Sequence, residues 1–487
     1  MGWGFYGRRV ELRQLEEILR RKRWFFIKLT GRRRIGKTTL IQQAFEAAGP
    51  RKILYVQIPD SGPAGVVSAV VDAMDTFRVD SKRFARPKTL AEFARAIGAL
   101  ARDGFVVALD EFQYFNRDVL SDFPSLLQGE VDRLSAEASH VAGGLLVLGS
   151  IHTDIAALLE DRKAPLFNRT TDELDLGHLD IASVLEILKC HASPEPERLL
   201  FLWTLFEGVP KFYRDCYEQG VLDAPREKLL SRIFFESSSP LRTEADNWFL
   251  KELRGRYDVV LKYVGRHAGC SNGDIVEHVR DMSQDRDEQV AGYLKILIER
   301  YRLVERRLPI FAKPKARSGR YYLTDNFLAA WLAGLASPIS AVAFAPVKEL
   351  VAEADRRLHE VEGHAFEKLV GQLYEERSRK RIGDFALSER ISGFWDSADT
   401  EIDLVALDRP GRRIRFGTCK RSEAQLVKAT GNLHGHVARF LAAFPEYVSW
   451  RVEKVGLAPV LGREARVSLQ REGLLAQDLD DLTQELR

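Results

Sequence analysis

The chain has 487 residues, 45% of them hydrophobic, and a formal charge of +3 with a pI of about 8.5. That length predicts about three domains, and that apolar content excludes a disordered chain. The mildly basic balance by itself neither selects nor excludes nucleic acid, and no apolar run reaches the length of a membrane span.

Phe5-Tyr6-Gly7-Arg8 precedes Val10–Arg20, where Val10, Leu12, Leu15, Ile18 and Leu19 have helical spacing. Seven cations, Arg20, Arg21, Lys22, Arg23, Arg32, Arg33 and Arg34, crowd this region. They read equally as a solvated face or as a phosphate- or partner-contacting one. The apolar run Trp24–Leu29 predicts a strand and leads into Gly31-Arg-Arg-Arg-Ile-Gly36-Lys37-Thr38, with a helix-like segment, Thr39–Ala48, behind it. This is G-x-x-x-x-G-K-[ST] in its strand–loop–helix setting. Gly31 and Gly36 free the backbone to turn N–H groups toward phosphate. Lys37 reaches the β- and γ-phosphates, and Thr38 offers Mg²⁺ a hydroxyl. Arg34, Ile35 and Thr39 complete the expected cradle. The expected cofactors are ATP and Mg²⁺, since no N/T-K-x-D motif for guanine is present.

Ile53–Ile58 predicts a second strand, and Ala64–Phe77 and Thr89–Arg102 predict helices. Phe105–Phe115, FVVALDEFQYF, predicts a third strand ending in Asp110 and Glu111. Carboxylates at strand ends project into the crevice where parallel sheets bind ligands. Asp110 would hold Mg²⁺ and Glu111 would act as general base; the plainer reading is an acidic strand end facing solvent. Leu126–Leu134 predicts a helix, and Gly144–Gly149 a fourth strand ending at Ser150, a γ-phosphate sensor or a simple strand-end cap. Arg169, in Pro165–Arg169, reads as an arginine finger, an in-chain phosphate sensor or a surface arginine. Strands alternating with helices predict a doubly wound α/β parallel sheet over residues 1–180.

Residues 181–219 read as helical, punctuated by Gly208-Val209-Pro210. Asp258–Leu323 reads as a winged helix, with helices at Val259–Gly265, Asn272–Val279 and Glu288–Tyr301 and strands at Leu303–Leu308 and Arg320–Leu323. Its wing carries Lys313, Lys315, Arg317 and Arg320, while the third helix exposes a mixed set, Glu288, Lys295, Glu299 and Arg300. DNA contact and internal packing are both open to such a module. Ala336–Val347 reads as a linker. The last domain, 348–487, opens with a helix at Val351–Arg377 carrying Glu367. A hairpin of Glu401–Leu407 and Arg413–Lys420 follows, then helices at Glu423–Leu441 and Leu474–Leu486 around a strand near Val452–Ala458.

The order of these pieces resembles the archaeal-type P-loop ATPases, neighbours of the AAA+ proteins and of the signal-transduction ATPases with numerous domains. The likeness spans about residues 5–335. It rests on Phe5–Arg8 with Glu11 and Leu12, Gly31–Thr38, Asp110-Glu111-Phe112, Gly149-Ser150, Pro165–Arg169, Gly208–Pro210 and Leu323-Thr324-Asp325-Asn326-Phe327. It implies a helical lid at 181–245 and a winged helix at 246–335. It also implies that Arg8 and Pro210 belong to the nucleotide site and that Arg169 contacts phosphate.

The C-terminal part, about 350–460, is similar to the PD-(D/E)xK nuclease superfamily, a restriction-endonuclease-like α/β fold. Glu367, Asp403 and Lys420 match its helix acid, strand acid and lysine. Thr418 stands where the second strand acid is expected, and Glu401, on the same strand face as Asp403, is the candidate replacement. In such a site the acids hold a metal against the scissile phosphate and the lysine orients or activates water. The departure leaves two readings: a cutting module, or a degenerate one kept for binding or assembly.

These features predict a multidomain ATPase acting on DNA, with a homo-oligomer as a compatible state. The alternative is a nucleotide-gated switch whose tail binds a partner. Cys190, Cys216, Cys270 and Cys419 lack the CxxC spacing of zinc or disulfide frameworks. With no signal-peptide pattern at the N-terminus, the expected setting is the reducing cytoplasm, away from membranes.

Overall fold

The computed structural model describes residues 2–49, 52–150, 152–245, 256–283 and 287–486. The chain divides into two compact units, Arg8–His178 and Met1–Gly7 with Leu179–Arg487.

In the first unit a sheet is built from β1 (Phe25–Gly31), β2 (Ile53–Gln57), β3 (Val106–Asp110), β4 (Gly144–Gly149) and β5 (Asp172–Leu176). The order is β2-β3-β4-β1-β5 and every pairing is parallel. β3 and β4 are buried throughout and β1 nearly so, which is why they read as unbroken apolar runs. Gly144 is needed where β4 starts beside β1, because a Cβ there would meet the Phe25 ring at 2.1 Å. Among the described residues the α-helices that accompany the sheet are α1 (Arg9–Leu19), α2 (Lys37–Ala48), α3 (Pro63–Thr76), α4 (Leu90–Arg102), α5 (Asp122–Ala136) and α6 (His152–Leu159). Thr89 caps α4 by accepting from Glu92 N at 3.1 Å. β5 and α6 are additions to the predicted elements. DELDL alternates acids with leucines and is half-exposed, as an edge strand is.

The second unit begins with α7 (Ile181–His191), α8 (Pro196–Phe206), α9 (Pro210–Glu218) and α10 (Arg226–Leu230); α8 and α9 open on proline. The predicted boundary at 245/246 touches residues 246–255, outside the described residues. Next come α11 (Arg256–Arg266), β6 (Cys270–Ser271), α12 (Asn272–Ser283), α13 (Asp287–Lys295), β7 (Val304–Arg307) and β8 (Arg320–Leu323), the strands forming an antiparallel sheet in the order β6-β8-β7. The side chain of Glu288 lies outside the described residues. α14 (Asn326–Ala330), α15 (Ala336–Ser340) and the long α16 (Val347–Lys380) follow. The predicted linker is therefore partly helical: Ala336–Ser340 extends the helical run from Asn326, with Pro338 and Leu335 buried.

The C-terminal sheet comprises β9 (Ser392–Trp395), β10 (Glu401–Asp408), β11 (Arg413–Cys419), β12 (Arg451–Leu457) and β13 (Leu475–Gln477) in the order β13-β12-β11-β10-β9. β9, β10 and β11 pair antiparallel; β11, β12 and β13 pair parallel. α17 (Glu423–Ala443), α18 (Arg463–Arg471) and α19 (Leu479–Thr483) complete it. The predicted helix at Leu474–Leu486 is corrected: its first residues add to the sheet edge beside β12. Asp478 then caps α19 in a two-way box with Asp481.

α16 ties this sheet to the helices before it. The Glu376 carboxylate accepts from Ile181 N at 2.8 Å and Ala182 N at 3.2 Å, capping α7. Glu362, fully buried, lies between Arg226 (2.5 Å) and Arg421 (2.8 Å). The connection between β7 and β8 is also anchored. Ile310 joins the C-terminal core and its N–H donates to Gly393 O at 2.9 Å. Phe311 stacks on Tyr447 with centroids 5.3 Å apart. Trp395 Nε1 donates to Ser318 O at 2.7 Å, and Arg320 pairs with Glu401 at 2.5 Å. Lys313, Lys315 and Arg317 remain exposed.

Candidate functional site

At the end of β1 the backbone takes angles that side chains resist: φ is 147° at Gly31, 66° at Arg34 and 95° at Gly36. A Cβ on Gly31 would stand 2.7 Å from Leu176 O. Gly36 is the N-cap of α2, so the loop delivers its N–H groups and the positive helix end to one concavity. Lys37 is buried, and its Nζ donates to the loop's own carbonyls, Gly31 O at 2.8 Å and Arg32 O at 3.2 Å. Burial pushes the Lys37 ammonium down to about 8 despite Asp110 and Glu111 nearby. Thr39 is exposed on the first turn of α2. Arg8, itself left-handed at φ 58°, donates to Gly177 O at 2.5 Å and Ile35 O at 3.4 Å, so it braces the loop.

Thr38 Oγ1 donates to Asp110 Oδ2 at 3.1 Å. Loop and strand acid thus meet where Mg²⁺ would need both. Tyr55, which the sequence reading passed over, donates to the same oxygen at 2.5 Å. Burial, then the Asp110 charge, raises the Tyr55 phenol and keeps it a donor. Nothing in the sequence marks it: Tyr55 reaches Asp110 because β2 pairs with β3 so that Tyr55 stands in register with Ala108. Glu111 sits at φ 57°, in a region costly for a non-glycine residue. Its carboxylate accepts from Gln113 Nε2 and, at 3.4 Å, from Ser150 Oγ. Gln113, also missed, is buried, and among the described residues its Oε1 has no hydrogen-bond partner.

Arg169 lies elsewhere in the same unit. It forms a forked pair with Asp132 on α5, Nε to Oδ1 at 2.7 Å and Nη2 to Oδ2 at 3.1 Å. Pro210 heads α9 in the second unit.

In the second unit Asp403 Oδ2 accepts from Thr418 Oγ1 at 3.0 Å, Cys419 N at 2.8 Å and Lys420 Nζ at 2.9 Å. Burial works against the Lys420 ammonium, but the bonded Asp403 outweighs it and the net shift is upward. Glu367 stands close enough to hold up Lys420 as well and, through a hydrogen bond, His364. Glu401 is taken by Arg320. Among the described residues no group of three or more His, Cys, Asp or Glu is gathered as a metal cluster would be. Thr418 bonds the acid instead of adding to it.

Comparison with known proteins places this geometry. An AAA domain family matches residues 21–147, and a family described as archaea bacterial proteins of unknown function matches 331–433. An uncharacterized protein of Methanocaldococcus jannaschii is 26% identical over 424 residues, 85% of this chain and 86% of that one. The solved Walker-type ATPase of Pyrococcus abyssi, 18% identical, overlays with a TM-score of 0.51 over 67% of this chain and 96% of its own. The ORC2 protein of Aeropyrum pernix, solved in ADPNP and ADP complexes, is 15% identical with a TM-score of 0.45 over 74% and 97%. The first unit thus has a parallel α/β sheet of the P-loop kind and matches an AAA domain family over residues 21–147, and over 67% of its length the chain shares its fold with a Walker-type ATPase. No helix among the described residues is long and apolar enough to cross a membrane.

Proposed function

We propose that the chain binds and hydrolyses ATP·Mg²⁺ at the P-loop and that nucleotide state governs a DNA-directed second unit. One observation carries the reading: Lys37, Thr38, Asp110, Glu111 and Ser150 converge at the ends of β1, β3 and β4. In this reading Lys37 and the loop N–H groups hold the phosphates. Thr38 and Asp110 hold the metal, Ser150 senses the γ-phosphate and Glu111 polarises the attacking water. Residues 1–180 are the ATPase domain, 181–245 the lid carrying Pro210, 246–335 a winged helix and 348–487 a nuclease-like domain. Arg169 would act on a neighbouring copy, because its own chain holds it on Asp132.

The anchored β7–β8 connection favours a second reading. If the winged helix packs internally and Asp403 is saturated by donors, the tail serves assembly rather than cutting. Duplex binding in ATP and in ADP across a salt series separates the two. Affinity that falls steeply with salt and differs between nucleotides supports DNA action. No binding at low salt supports the switch.

A further inference from the structure

We propose that the second unit contains a separate binding site for a free nucleotide, in a cavity of about 620 Å³ walled by α11, β7, β8, the helical run from Asn326, and α16. Its size falls in the range of small-molecule sites. Its lining is one-sided in charge: Arg266, Arg307, Arg356, Arg357 and Lys368 face it against a single carboxylate, Glu360. The other acids that pair with these cations, Glu305, Glu353 and Glu207, are not part of the lining, and Arg356 is spent on Glu353 and Glu360.

That arrangement leaves donors for a ligand. Arg357 spends only Nε on Glu353, and Arg307 spends Nε and Nη2 on Glu305. Among the described residues Arg266 makes no ion pair. Lys368 is saturated by Glu207, Thr324 O and Asn326 Oδ1, so it supplies field rather than contact. Forked guanidinium donors in this number fit phosphate oxygens. The remainder of the space suits a nucleoside. The Arg307 guanidinium carbon sits 4.3 Å from the centroid of the Tyr322 ring, and Tyr322 meets His364 edge-on at 6.2 Å, giving planar surfaces for a base. Alanines such as Ala333 keep the wall open. The shared chemistry, a phosphate on a nucleoside, also occurs at a strand end.

The test is equilibrium dialysis on the full chain with ADP and with a 5′-phosphorylated trithymidylate. Lys37→Ala, which empties the P-loop, should still bind one equivalent of ADP, and more tightly than the trinucleotide. Tighter trinucleotide binding would overturn the free-nucleotide assignment in favour of a strand end. Adding Arg307→Gln and Arg357→Gln should weaken ADP at this site at least about tenfold, as expected for lost charge-assisted bonds. Ala333→Phe should abolish binding there with no charge removed. Either change in a chain with Lys37 should retain one P-loop equivalent, which shows the chain is folded. A Lys37→Ala chain that binds neither probe, or binding indifferent to both sets of variants, would overturn the proposal. A single equivalent lost with the arginine pair but not with Lys37→Ala would support it while refuting the P-loop reading.

Discussion

Replacing Lys37 by methionine should make the nucleotide-free chain slightly more stable near pH 7.5. The lysine is 8% exposed, and burial pushes it from 10.5 down to about 8. At about 1.4 kcal/mol per unit, keeping it charged costs roughly 3 kcal/mol. Its bonds to Gly31 O and Arg32 O return about 1 kcal/mol each, leaving a net gain of about 1 kcal/mol for methionine. The pH dependence is the sharper signature. Between pH 8 and 10.5 the unfolded chain keeps this proton and the folded chain does not, so wild-type stability rises with pH across that window. Urea unfolding without nucleotide should therefore show the wild type gaining about 2 kcal/mol on the methionine variant between pH 7.5 and 9.5. A difference that stays constant with pH would refute the burial argument. ATP reverses the balance, because the phosphates supply the partner that the loop carbonyls only imitate.

Other perturbations follow from single contacts. Glu362→Ala leaves a buried gap between Arg226 and Arg421, which keep Asp355 and Glu197 as partners, and should lower the melting temperature by less than the roughly 3–5 kcal/mol of an uncompensated buried charge would. Arg169→Ala breaks a partly exposed pair worth at most about 1 kcal/mol, so its melting curve should hardly move. Loss of hydrolysis in that variant, restored by mixing with Lys37→Ala chains, would assign Arg169 across a subunit boundary; no complementation at any ratio would remove that role. Wild type should cut linear duplex slowly or not at all in Mg²⁺, and Thr418→Glu should gain cutting, first in the less demanding Mn²⁺. Robust wild-type cutting in Mg²⁺ that vanishes in Asp403→Ala would show that the site works without a second strand acid.

What the sequence made legible was local. Gly31–Thr38 needs only a strand before it and a helix behind it, and both are written in neighbouring residues. Asp110 and Glu111 follow because five apolar residues run into them. β5 was hidden because an edge strand carries its acids outward. Leu475–Gln477 was hidden because three residues become a strand only when β12 supplies the hydrogen bonds. Tyr55 and Gln113 reach Asp110 and Glu111 through sheet register and a tight 3₁₀ turn, which no periodicity reports. The lysines of the β7–β8 connection leave DNA contact and internal packing equally open. Two adjacent apolar residues in it, Ile310 and Phe311, are the signal that it is anchored: Ile310 is buried in the C-terminal core and Phe311 stacks on Tyr447.

The most direct measurement is single-turnover ATP hydrolysis by wild type, Lys37→Ala and Glu111→Gln, with bound nucleotide quantified in the same samples. Wild type should bind and hydrolyse, and Glu111→Gln should bind ATP but turn it over at least about a hundredfold more slowly. Lys37→Ala should lose P-loop binding and with it all turnover. Equal turnover by wild type and Glu111→Gln, or undiminished turnover by Lys37→Ala, would contradict the account.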